Sequence, residues 1–575
     1  MKISFHKYYA DFIQLQDFCC LNAFIMKSIW HRQLSKWMLF GLFWFNGVLA
    51  FSQPLSRPKL VVGIVVDQMR WDYLYRYEDL YGNDGFKRLL NEGFSCENTF
   101  INYIPSYTAV GHSTIFTGSV PAIHGIVGND WIDQATGKHW YCTQDDSVQT
   151  VGATDDAGKM SPHWLLTTTI TDELRLATQF QSRVVGISLK DRAAILPAGH
   201  TPTAAFWFDD ASGRFITSTY YMQQLPAWVQ RFNARNEPGQ LMSKPWNTLY
   251  PIQRYTRSTA DDVPWEGKFP GEQAPVFPHN LPAIYAHDRE ALRYTPFGNT
   301  LTLDFARAAV EGYRLGRGPA TDFLTINCAS TDYVGHMFGP NAIETEDTYL
   351  RLDRDLAAFF HFLDDYVGKG NYLVFLTADH GAAHAIGFMQ AHHLPAGFLE
   401  AGSITRALNQ YLEQRFGVAS LVLSLANEHV NFRDSLIAAH HLDEEALIQA
   451  TLSFLRRQPG IEMAVDIRHI GDAPIPQPVK NMIINGYYAP RTGPIAIIPD
   501  PNWFNGHPGG TGTTHGLWNP YDTHIPLIFM GWHIRHGVTH QEVYMTDIAP
   551  TLAALLHIQM PNGCVGKPII PLLGQ

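Results

Sequence analysis

The chain has 575 residues, 46% of them hydrophobic and 17% charged, and its formal net charge at pH 7 is -11. This length allows one large domain with insertions or about two to three smaller domains, and the composition excludes a largely disordered chain. General nucleic-acid binders carry a basic face that replaces the counterions around phosphates, so the acidic balance argues against that class. Any recognition of phosphate must therefore depend on a few local side chains.

The amino-terminal segment has the layout of a signal peptide. Residues 37–50 are apolar or small apart from one amide, and basic residues precede them. The run is short for a membrane span, and small residues flank a cleavage point near Ser52. We therefore expect residues 1–52 to be removed, with Met26 as a better start of the signal, and the mature chain to be periplasmic or secreted without membrane attachment. A retained anchor is the alternative.

Three apolar runs predict buried strands of a parallel sheet. Residues 59–66 read KLVVGIVV, and residues 323–327 and 372–376 are similar short runs. Between the last two runs, apolar residues recur at steps of three and four over 352–367, which predicts a helix. A strand, a helix and a strand in that order form a βαβ crossover. The expected fold class is α/β, and the ligands of such sheets bind beyond the carboxyl ends of the strands.

Two long stretches fit this sheet poorly. Residues 200–300 are rich in proline, aromatic and polar residues, and residues 388–505 contain a charged helical segment followed by short apolar runs. We interpret both as insertions that cover the active site of a single catalytic domain, residues 53–575.

Six polar side chains end these strands or interrupt glycine-rich turns, and together they predict a metal site. They follow the first strand or lie in the motifs TDYVGH, TADHG and TGTTHG. The six are Asp67, Asp332, His336, Asp379, His380 and His515. Carboxylates mixed with imidazoles are typical of zinc, because calcium and magnesium prefer all-oxygen shells and structural zinc favours thiolates. Six ligands are enough for two metal ions that each keep a position open.

In these motifs the sequence resembles the alkaline phosphatase superfamily, most closely its PafA-type phosphomonoesterases, over nearly the whole mature chain. The resemblance implies an alkaline phosphatase-like sandwich with a central, mostly parallel sheet and helices on both faces. It implies two zinc ions per chain, one bound by Asp67, Asp379, His380 and the nucleophile Thr108, the other by Asp332, His336 and His515. It also implies contacts to the transferred phosphoryl group from three further residues: Asn129 in GIVGNDWID, and Lys190 and Arg192 in SLKDRAAILPAGH.

The expected function is an exported, metal-dependent hydrolase of small phosphate monoesters, an alkaline phosphatase that forms a phosphothreonine intermediate. Metal coordination would stabilise the alkoxide of Thr108, and water activated on the second zinc would release the phosphate. Lys190 and Arg192 add two positive charges to the formal count, which then balances a monoester dianion better than a singly charged diester. A solvated strand end is the alternative interpretation of this Lys-Arg pair.

Two other functions remain open. A nucleotide pyrophosphatase/phosphodiesterase of the same superfamily would share the two zinc ions and the threonine. A non-catalytic exported binder of phosphate or metal belongs to a different class, and it has no need of a nucleophile beside the metal. A sulfatase with a formylglycine is not expected, because no C/S-x-P-x-R motif stands at the nucleophile. The oligomeric state is left open.

Other polar residues have a structural interpretation. His112, close to the nucleophile, is expected to orient a loop or cap a helix rather than bind metal. Glu344, Glu346 and Asp347 are expected to form the acidic first turn of a helix, which the helix dipole favours. The pairing of the widely spaced cysteines after residue 52 is left open; they are Cys96, Cys142, Cys328 and Cys564.

Overall fold

The structure is a computed structural model that describes residues 56–574, and the predicted signal peptide, residues 1–52, lies outside the described residues. None of the helices within 56–574 is both long and apolar enough to cross a bilayer. The cysteines of this part of the chain are free, and three of them are buried. No disulfide therefore stabilises the described fold.

The strands of the described chain belong to one large sheet and three small ones. In chain order they are β1 Leu60–Val66, β2 Phe94–Phe100, β3 Asp130–Ile132, β4 His139–Tyr141, β5 Thr150–Val151, β6 Val184–Ser188, β7 Ala204–Asp209, β8 Arg214–Ser218, β9 Asp322–Cys328, β10 Tyr372–Thr377, β11 Gly397–Leu399, β12 Val422–Ala426, β13 His429–Phe432, β14 Ile461–Asp466, β15 Ile495–Pro499, β16 Trp503–Asn505, β17 His524–Ile525, β18 Leu527–Gly531 and β19 Gly537–Tyr544.

The α-helices of residues 56–574 lie between these strands and at the carboxyl terminus. In chain order they are α1 Tyr73–Arg76, α2 Phe86–Glu92, α3 Thr108–Thr117, α4 Pro121–His124, α5 Ile170–Ala177, α6 Asp191–Ala198, α7 Ala227–Ala234, α8 Glu237–Leu241, α9 Leu281–His287, α10 Phe297–Tyr313, α11 Ser330–Phe338, α12 Ile343–Leu363, α13 Ile386–Ala391, α14 Ala401–Phe416, α15 Asp434–Ala439, α16 Glu444–Leu455, α17 Gln477–Gly486, α18 Pro520–Thr523, α19 Ile548–Leu556 and α20 Ile570–Leu573.

The large sheet is parallel in its centre and antiparallel towards both edges. Its strand order is β17-β2-β18-β10-β1-β9-β6-β7-β8-β5, with β19 added beside β2. The strands from β10 to β7 run parallel, whereas β18 and β8 pair antiparallel with the ends of this block. The predicted sheet and βαβ crossover are confirmed, since β9, α12 and β10 follow one another and β1 lies between the two strands. The sheet as a whole is mixed.

Burial explains why the central strands have continuous apolar sequences. All seven residues of β1 and all seven of β9 are buried, so both faces of the sheet are covered. A fully buried valine, leucine or isoleucine stabilises the fold by about 1.5–3 kcal/mol. Gly63 in the middle of β1 has no room for a side chain, because an added Cβ would lie 2.5 Å from Cζ of Phe375. A side chain at this position would displace the ring of Phe375 on β10 and press on Phe116 of α3.

The predicted insertion at residues 200–300 is wrong at its start. Residues 204–209 and 214–218 form β7 and β8, which are part of the large sheet. The aromatic residues that looked foreign to the sheet are buried in these strands; Phe206, for example, has no exposed surface. A short strand rich in aromatic residues is hard to distinguish from a loop, because buried strands lack the polar alternation of half-exposed ones.

Residues 388–505 contain a second, smaller sheet with its own hydrophobic core. Its strand order is β12-β13-β15-β14, and its pairings are antiparallel. Residues of α14 and α16 pack on it, with Leu408, Leu412 and Leu455 fully buried. This region therefore folds around its own apolar cluster and does not extend the large sheet.

Candidate active site

The predicted site residues follow the carboxyl ends of the central parallel strands. Asp67 comes directly after β1, and Asp379 and His380 follow β10 after one intervening residue. Asp332 and His336 lie on α11, which begins just after β9, and one helical turn separates them. Parallel strands bring these positions to one edge of the sheet, as expected for an open α/β fold.

The structure brings the six predicted metal ligands together in two groups. Within each group the candidate ligand atoms lie within 4.8 Å of one another. The groups are Asp67, Asp379 and His380, and Asp332, His336 and His515, which is the division that the resemblance implies. The two groups adjoin, because the rings of His380 and His515 stack with their centroids 3.4 Å apart.

The first group, Asp67, Asp379 and His380, contains buried polar atoms that need a partner. Asp67 Oδ1, Asp379 Oδ2 and His380 Nε2 have no hydrogen-bond partner within residues 56–574. Burying an unsatisfied carboxylate oxygen costs about 1–3 kcal/mol or more. Three such atoms facing one another fit a divalent cation.

The three histidines of the two groups are oriented alike. Each directs Nδ1 at a backbone carbonyl, and since a carbonyl can only accept, Nδ1 is the donor, while Nε2 lies beside the carboxylates of its own group. The bonds run from His336 to Thr513 at 2.8 Å, from His380 to Gly381 at 3.0 Å and from His515 to Ser106 at 2.8 Å. Metal-binding histidines typically donate a hydrogen bond of this kind from the ring nitrogen that does not bind the metal. The residues present therefore fit a pair of metal ions.

The two groups differ in charge balance. Burial, together with the neighbouring Asp379 carboxylate, raises the pKa of Asp67 well above its usual value. Burial would also raise the pKa of Asp332, but His336 and Lys190 hold it well below its usual value. In the first group, His380 and His112 hold the pKa of Asp379 below its usual value against the effect of burial, so Asp67 is the carboxylate left short of positive charge.

Lys190 lies between the two groups and beside Thr108. Its Nζ is 2.8 Å from Oδ2 of Asp67 and 2.6 Å from Oδ2 of Asp332. The same atom is 3.5 Å from Oγ1 of Thr108. Although burial alone would lower it, the two aspartates raise the pKa of Lys190, so the ammonium stays charged at neutral pH. The lysine places a fixed positive charge next to the threonine hydroxyl.

Thr108 is the first residue of α3, a helix whose ten residues are all buried. The helix ends at Gly118, whose φ of 62° lies in the left-handed region that glycine adopts most easily. At its amino terminus, Asn129 Oδ1 accepts a hydrogen bond of 3.0 Å from the backbone N–H of Ala109. Asn129 therefore holds the end of the helix that carries Thr108.

Arg192 contacts a tyrosine hydroxyl in this structure. Its Nη1 donates to the Tyr141 hydroxyl at 2.9 Å, and that hydroxyl donates to Asp191 at 2.9 Å. The Nε of Arg192 is buried without a partner in the described chain. Of the three residues predicted to contact the phosphoryl group, Lys190 contacts Thr108 directly, Asn129 contacts its helix, and Arg192 is the least engaged.

Sequence reasoning missed Gln68 and undervalued His112. The backbone N–H of Gln68 donates to Asp379 at 3.2 Å and its side-chain amide donates to Asp332 at 2.7 Å, so this residue bridges the two groups. His112 Nδ1 lies 2.9 Å from the carbonyl oxygen of Thr108 and 3.4 Å from Oδ2 of Asp379. A glutamine gives no signal by its type, whereas the four-residue spacing of Thr108 and His112 on a helix was available.

Comparisons with known proteins identify the family. Residues 61–521 match the family model for type I phosphodiesterase / nucleotide pyrophosphatase. Alkaline phosphatase PafA of Elizabethkingia meningoseptica is 53% identical over 544 residues, which cover 94% of this chain and 99% of that protein. Alkaline phosphatase PhoV of Synechococcus elongatus is 52% identical over 91% of this chain and 94% of its own length. A protein of Myroides odoratus named calcium-transporting ATPase is 53% identical over 92% of this chain and 97% of its own length.

A crystal structure of wild-type alkaline phosphatase PafA superimposes with a TM-score of 0.89 and covers 91% of this chain and 100% of that one. The architecture is therefore the alkaline phosphatase fold. A second crystal structure of PafA carries substitutions of a threonine, an asparagine, a lysine and an arginine.

Proposed function

This chain belongs to the type I phosphodiesterase / nucleotide pyrophosphatase family of the alkaline phosphatase superfamily and is a metal-dependent phosphomonoesterase; we propose that it transfers the phosphoryl group to Thr108 between two zinc ions. The zinc ions would be bound by the two groups of the active site, Asp67, Asp379 and His380 with Thr108, and Asp332, His336 and His515. The substrates are small phosphate monoesters.

The position of Thr108 carries this proposal. Its hydroxyl starts a buried helix and lies 3.5 Å from an ammonium that contacts both ligand groups. The PafA variant supports the same assignment, because the residue types substituted there, Thr, Asn, Lys and Arg, occur in the same order here as Thr108, Asn129, Lys190 and Arg192. A binding protein would have no need of a hydroxyl at this point.

The chain's own residues have distinct tasks in this reaction. Zinc ions bound by the two groups would supply Lewis-acid stabilisation of negative charge on oxygen. Thr108 Oγ1 forms a bond to phosphorus while the ester P–O bond breaks and the alcohol leaves, and water then releases inorganic phosphate. Lys190 offers positive charge to the phosphoryl oxygens, and the N–H groups at the start of α3, other than that of Ala109, would be available to donate to the same oxygens. Asn129 keeps that helix end in place.

The positive side chains favour monoesters over diesters. Lys190 and Arg192 add two charges beside the nucleophile, and a monoester dianion carries one negative charge more than a diester. A guanidinium also binds two non-bridging oxygens at once, which leaves little room for a second ester substituent.

We also propose that the protein is exported. Residues 1–52 would be removed as a signal peptide, so the amino terminus of the secreted or periplasmic protein is expected at Gln53. Mass analysis of the amino-terminal peptide checks this point.

The nucleophile is tested by replacing Thr108. Thr108→Ala should lower kcat for p-nitrophenyl phosphate by about a thousandfold or more, while the metal content stays near two zinc ions per chain. Thr108→Ser keeps the hydroxyl and serves as the matched control, with activity within about tenfold of the wild type. Substantial turnover by Thr108→Ala would exclude this nucleophile, and loss of zinc together with activity would point to a role in metal binding or folding.

The substrate class is tested with p-nitrophenyl phosphate and its bis ester. The wild type should favour the monoester, and Arg192→Ala should reduce kcat/KM for the monoester about ten- to hundredfold while affecting the diester much less. Arg192→Lys keeps the charge but not the paired donors, and we expect an intermediate loss. Faster turnover of the diester by the wild type would favour the phosphodiesterase alternative, and equal losses would refute the charge argument.

A further inference from the structure

We propose that the turn Asn427–Glu428, at the tip of the β12–β13 hairpin of the smaller sheet, positions the nucleophile helix and Asn129 for phosphoryl transfer. This inference rests on the proposed role of Thr108. The turn lies far from the site in sequence, and its two side chains reach the residues that flank Thr108 and Asn129 on different loops of the large domain.

Glu428 contacts the residue just before the nucleophile. The hydroxyl of Tyr107 donates to Oε1 of Glu428 at 3.3 Å. The ring of Tyr107 lies edge-on to the ring of His515, with centroids 5.6 Å apart. Gly516 permits this contact, since an added Cβ there would lie 2.7 Å from the Tyr107 ring. Glu428 therefore restrains a side chain that is packed between Thr108 and a predicted zinc ligand.

Asn427 contacts the residues on both sides of Asn129. Its Nδ2 donates to the carbonyl oxygen of Asp130 at 2.7 Å. On the other side, an added Cβ on Gly128 would lie 2.5 Å from the same Nδ2, so Gly128 leaves just enough room for this amide. Since Asn129 in turn accepts from the N–H of Ala109, the amide of Asn427 is linked to the start of α3 through one loop.

The backbone of the turn is held within the smaller sheet, and the side chains of Asn427 and Glu428 extend from it. Asn427 and Glu428 have φ of 52° and 60°, the left-handed values of a two-residue hairpin turn between the paired residues Ala426 and His429. Asparagine suits this region, whereas glutamate adopts it rarely, which points to a role for its side chain. The carbonyl oxygen of Glu428 accepts from the N–H of Ile497 on β15 at 2.8 Å.

Close packing does not explain the position of the tip. A cavity of about 230 Å³ lies behind it, lined in part by Asn427, His429 and Arg491. Besides the backbone bond to Ile497, the hydrogen bonds to Tyr107 and Asp130 hold the tip against the segments that carry Thr108 and Asn129. Through these two bonds the smaller sheet acts on the reaction. Asn427 and Glu428 are thus positioning residues that touch neither substrate nor metal.

The test compares single variants at the tip with conservative ones. Glu428→Ala and Asn427→Ala should each lower kcat/KM for p-nitrophenyl phosphate about tenfold, because a small displacement of a nucleophile is costly. Their zinc content and melting temperature should match the wild type. Glu428→Gln keeps an oxygen acceptor for Tyr107 and should restore most of the activity. Glu462→Ala removes an exposed carboxylate from β14 of the same sheet and should have no effect.

A double-mutant cycle separates positioning from a general structural role. Tyr107→Phe removes the hydroxyl that Glu428 accepts, so Tyr107→Phe combined with Glu428→Ala should be no less active than the worse single variant. Additive losses would overturn the proposal, as would a fall in zinc content or melting temperature large enough to explain the lost activity. If Thr108→Ala remains active, the proposed function fails; if it is inactive but the tip variants equal the wild type, only the positioning role fails.

Discussion

Two regions of this protein bury carboxylates beside histidine, and they use them differently. In the active site, the candidate ligand atoms of Asp67, Asp379 and His380 converge on one another without other partners in the described chain. In the second region, which we call the acidic clamp, Glu344, Glu346 and Asp347 of α12 bind the segment 246–279. Both regions are fully shielded from solvent, so burial alone does not distinguish them.

Each carboxylate of the acidic clamp has at least one donor, but Oε2 of Glu344 and Oε1 of Glu346 have no partner in the described chain. Asp347 accepts from the Trp246 indole at 2.7 Å, from the backbone N–H of Leu249 at 2.6 Å and from Arg351 at 2.6 Å, and it also binds the hydroxyl of Tyr255. Glu344 contacts Nε2 of His279 at 3.2 Å, and that ring also contacts Glu272.

Where a carboxylate in or near the acidic clamp lacks hydrogen-bond donors, protonation of that carboxylate takes their place. Burial raises the pKa of Glu346 to about 7, and burial together with Glu344 raises that of the nearby Glu266 to about 9. A buried carboxylate thus binds a donor, a proton or a metal ion, and the geometry of its neighbours decides which. Substituting one carboxylate in each region tests this difference.

The largest effect is expected in the active site. Asp379→Asn keeps an oxygen that can accept from the N–H groups of Gln68 and His380 but removes a charge from the first ligand group. Activity should fall on the order of a thousandfold, with loss of about one metal ion per chain measured by elemental analysis. In the absence of metal the variant should be less resistant to heat than the wild type, because His380 and His112 hold the pKa of Asp379 below its usual value and its charge therefore favours the folded state. Lost stability at full metal content would place Asp379 in a structural network instead.

The opposite outcome is expected in the clamp. Asp347→Asn removes the charge that pairs with Arg351 and breaks part of a four-donor network, so the free energy of unfolding should fall by about 2–4 kcal/mol. Zinc content and kcat of the folded enzyme should not change. Asp365→Asn, at an exposed position just beyond the same helix, is the control for charge removal. If Asp347→Asn loses metal at unchanged stability, the distinction between the two regions fails.

The smallest effect concerns pH. Glu266 titrates near pH 4.5 when unfolded, but its pKa is about 9 in the folded chain. Between these values folding takes up a proton, so the free energy of unfolding falls as pH rises. Glu266→Gln should therefore be as stable as the wild type near pH 5 and more stable near pH 9.

Denaturant titrations across this range measure the effect of Glu266→Gln. His279, whose pKa is also raised to about 9 by Glu272 and Glu344 against the effect of burial, contributes in the same direction, so a weaker slope persists in the variant. A variant with the same pH dependence as the wild type would show that Glu266 is ionised in the folded state.

The helix prediction shows which part of the fold could be predicted from the sequence. Apolar steps over 352–367 predicted the helix that the structure forms at Ile343–Leu363, and the expected acidic first turn holds for Glu344 and Glu346. Their complete burial was not foreseen, since an acidic turn normally faces solvent. The strands β7 and β8 were also missed, because aromatic residues in short runs fit both a loop and a buried strand.

What this sequence determined by itself is the set of chemical groups: the carboxylates and imidazoles after apolar runs, the threonine in its helix, and the alternating sheet and helix order that places them at one edge. The tertiary structure alone decided which buried carboxylates lack donors, that Lys190 and Gln68 join the two ligand groups, and that a turn near residue 427 reaches the loops beside Thr108 and Asn129. Residue type and spacing report local preferences, whereas hydrogen-bond partners depend on distances between segments that lie hundreds of residues apart.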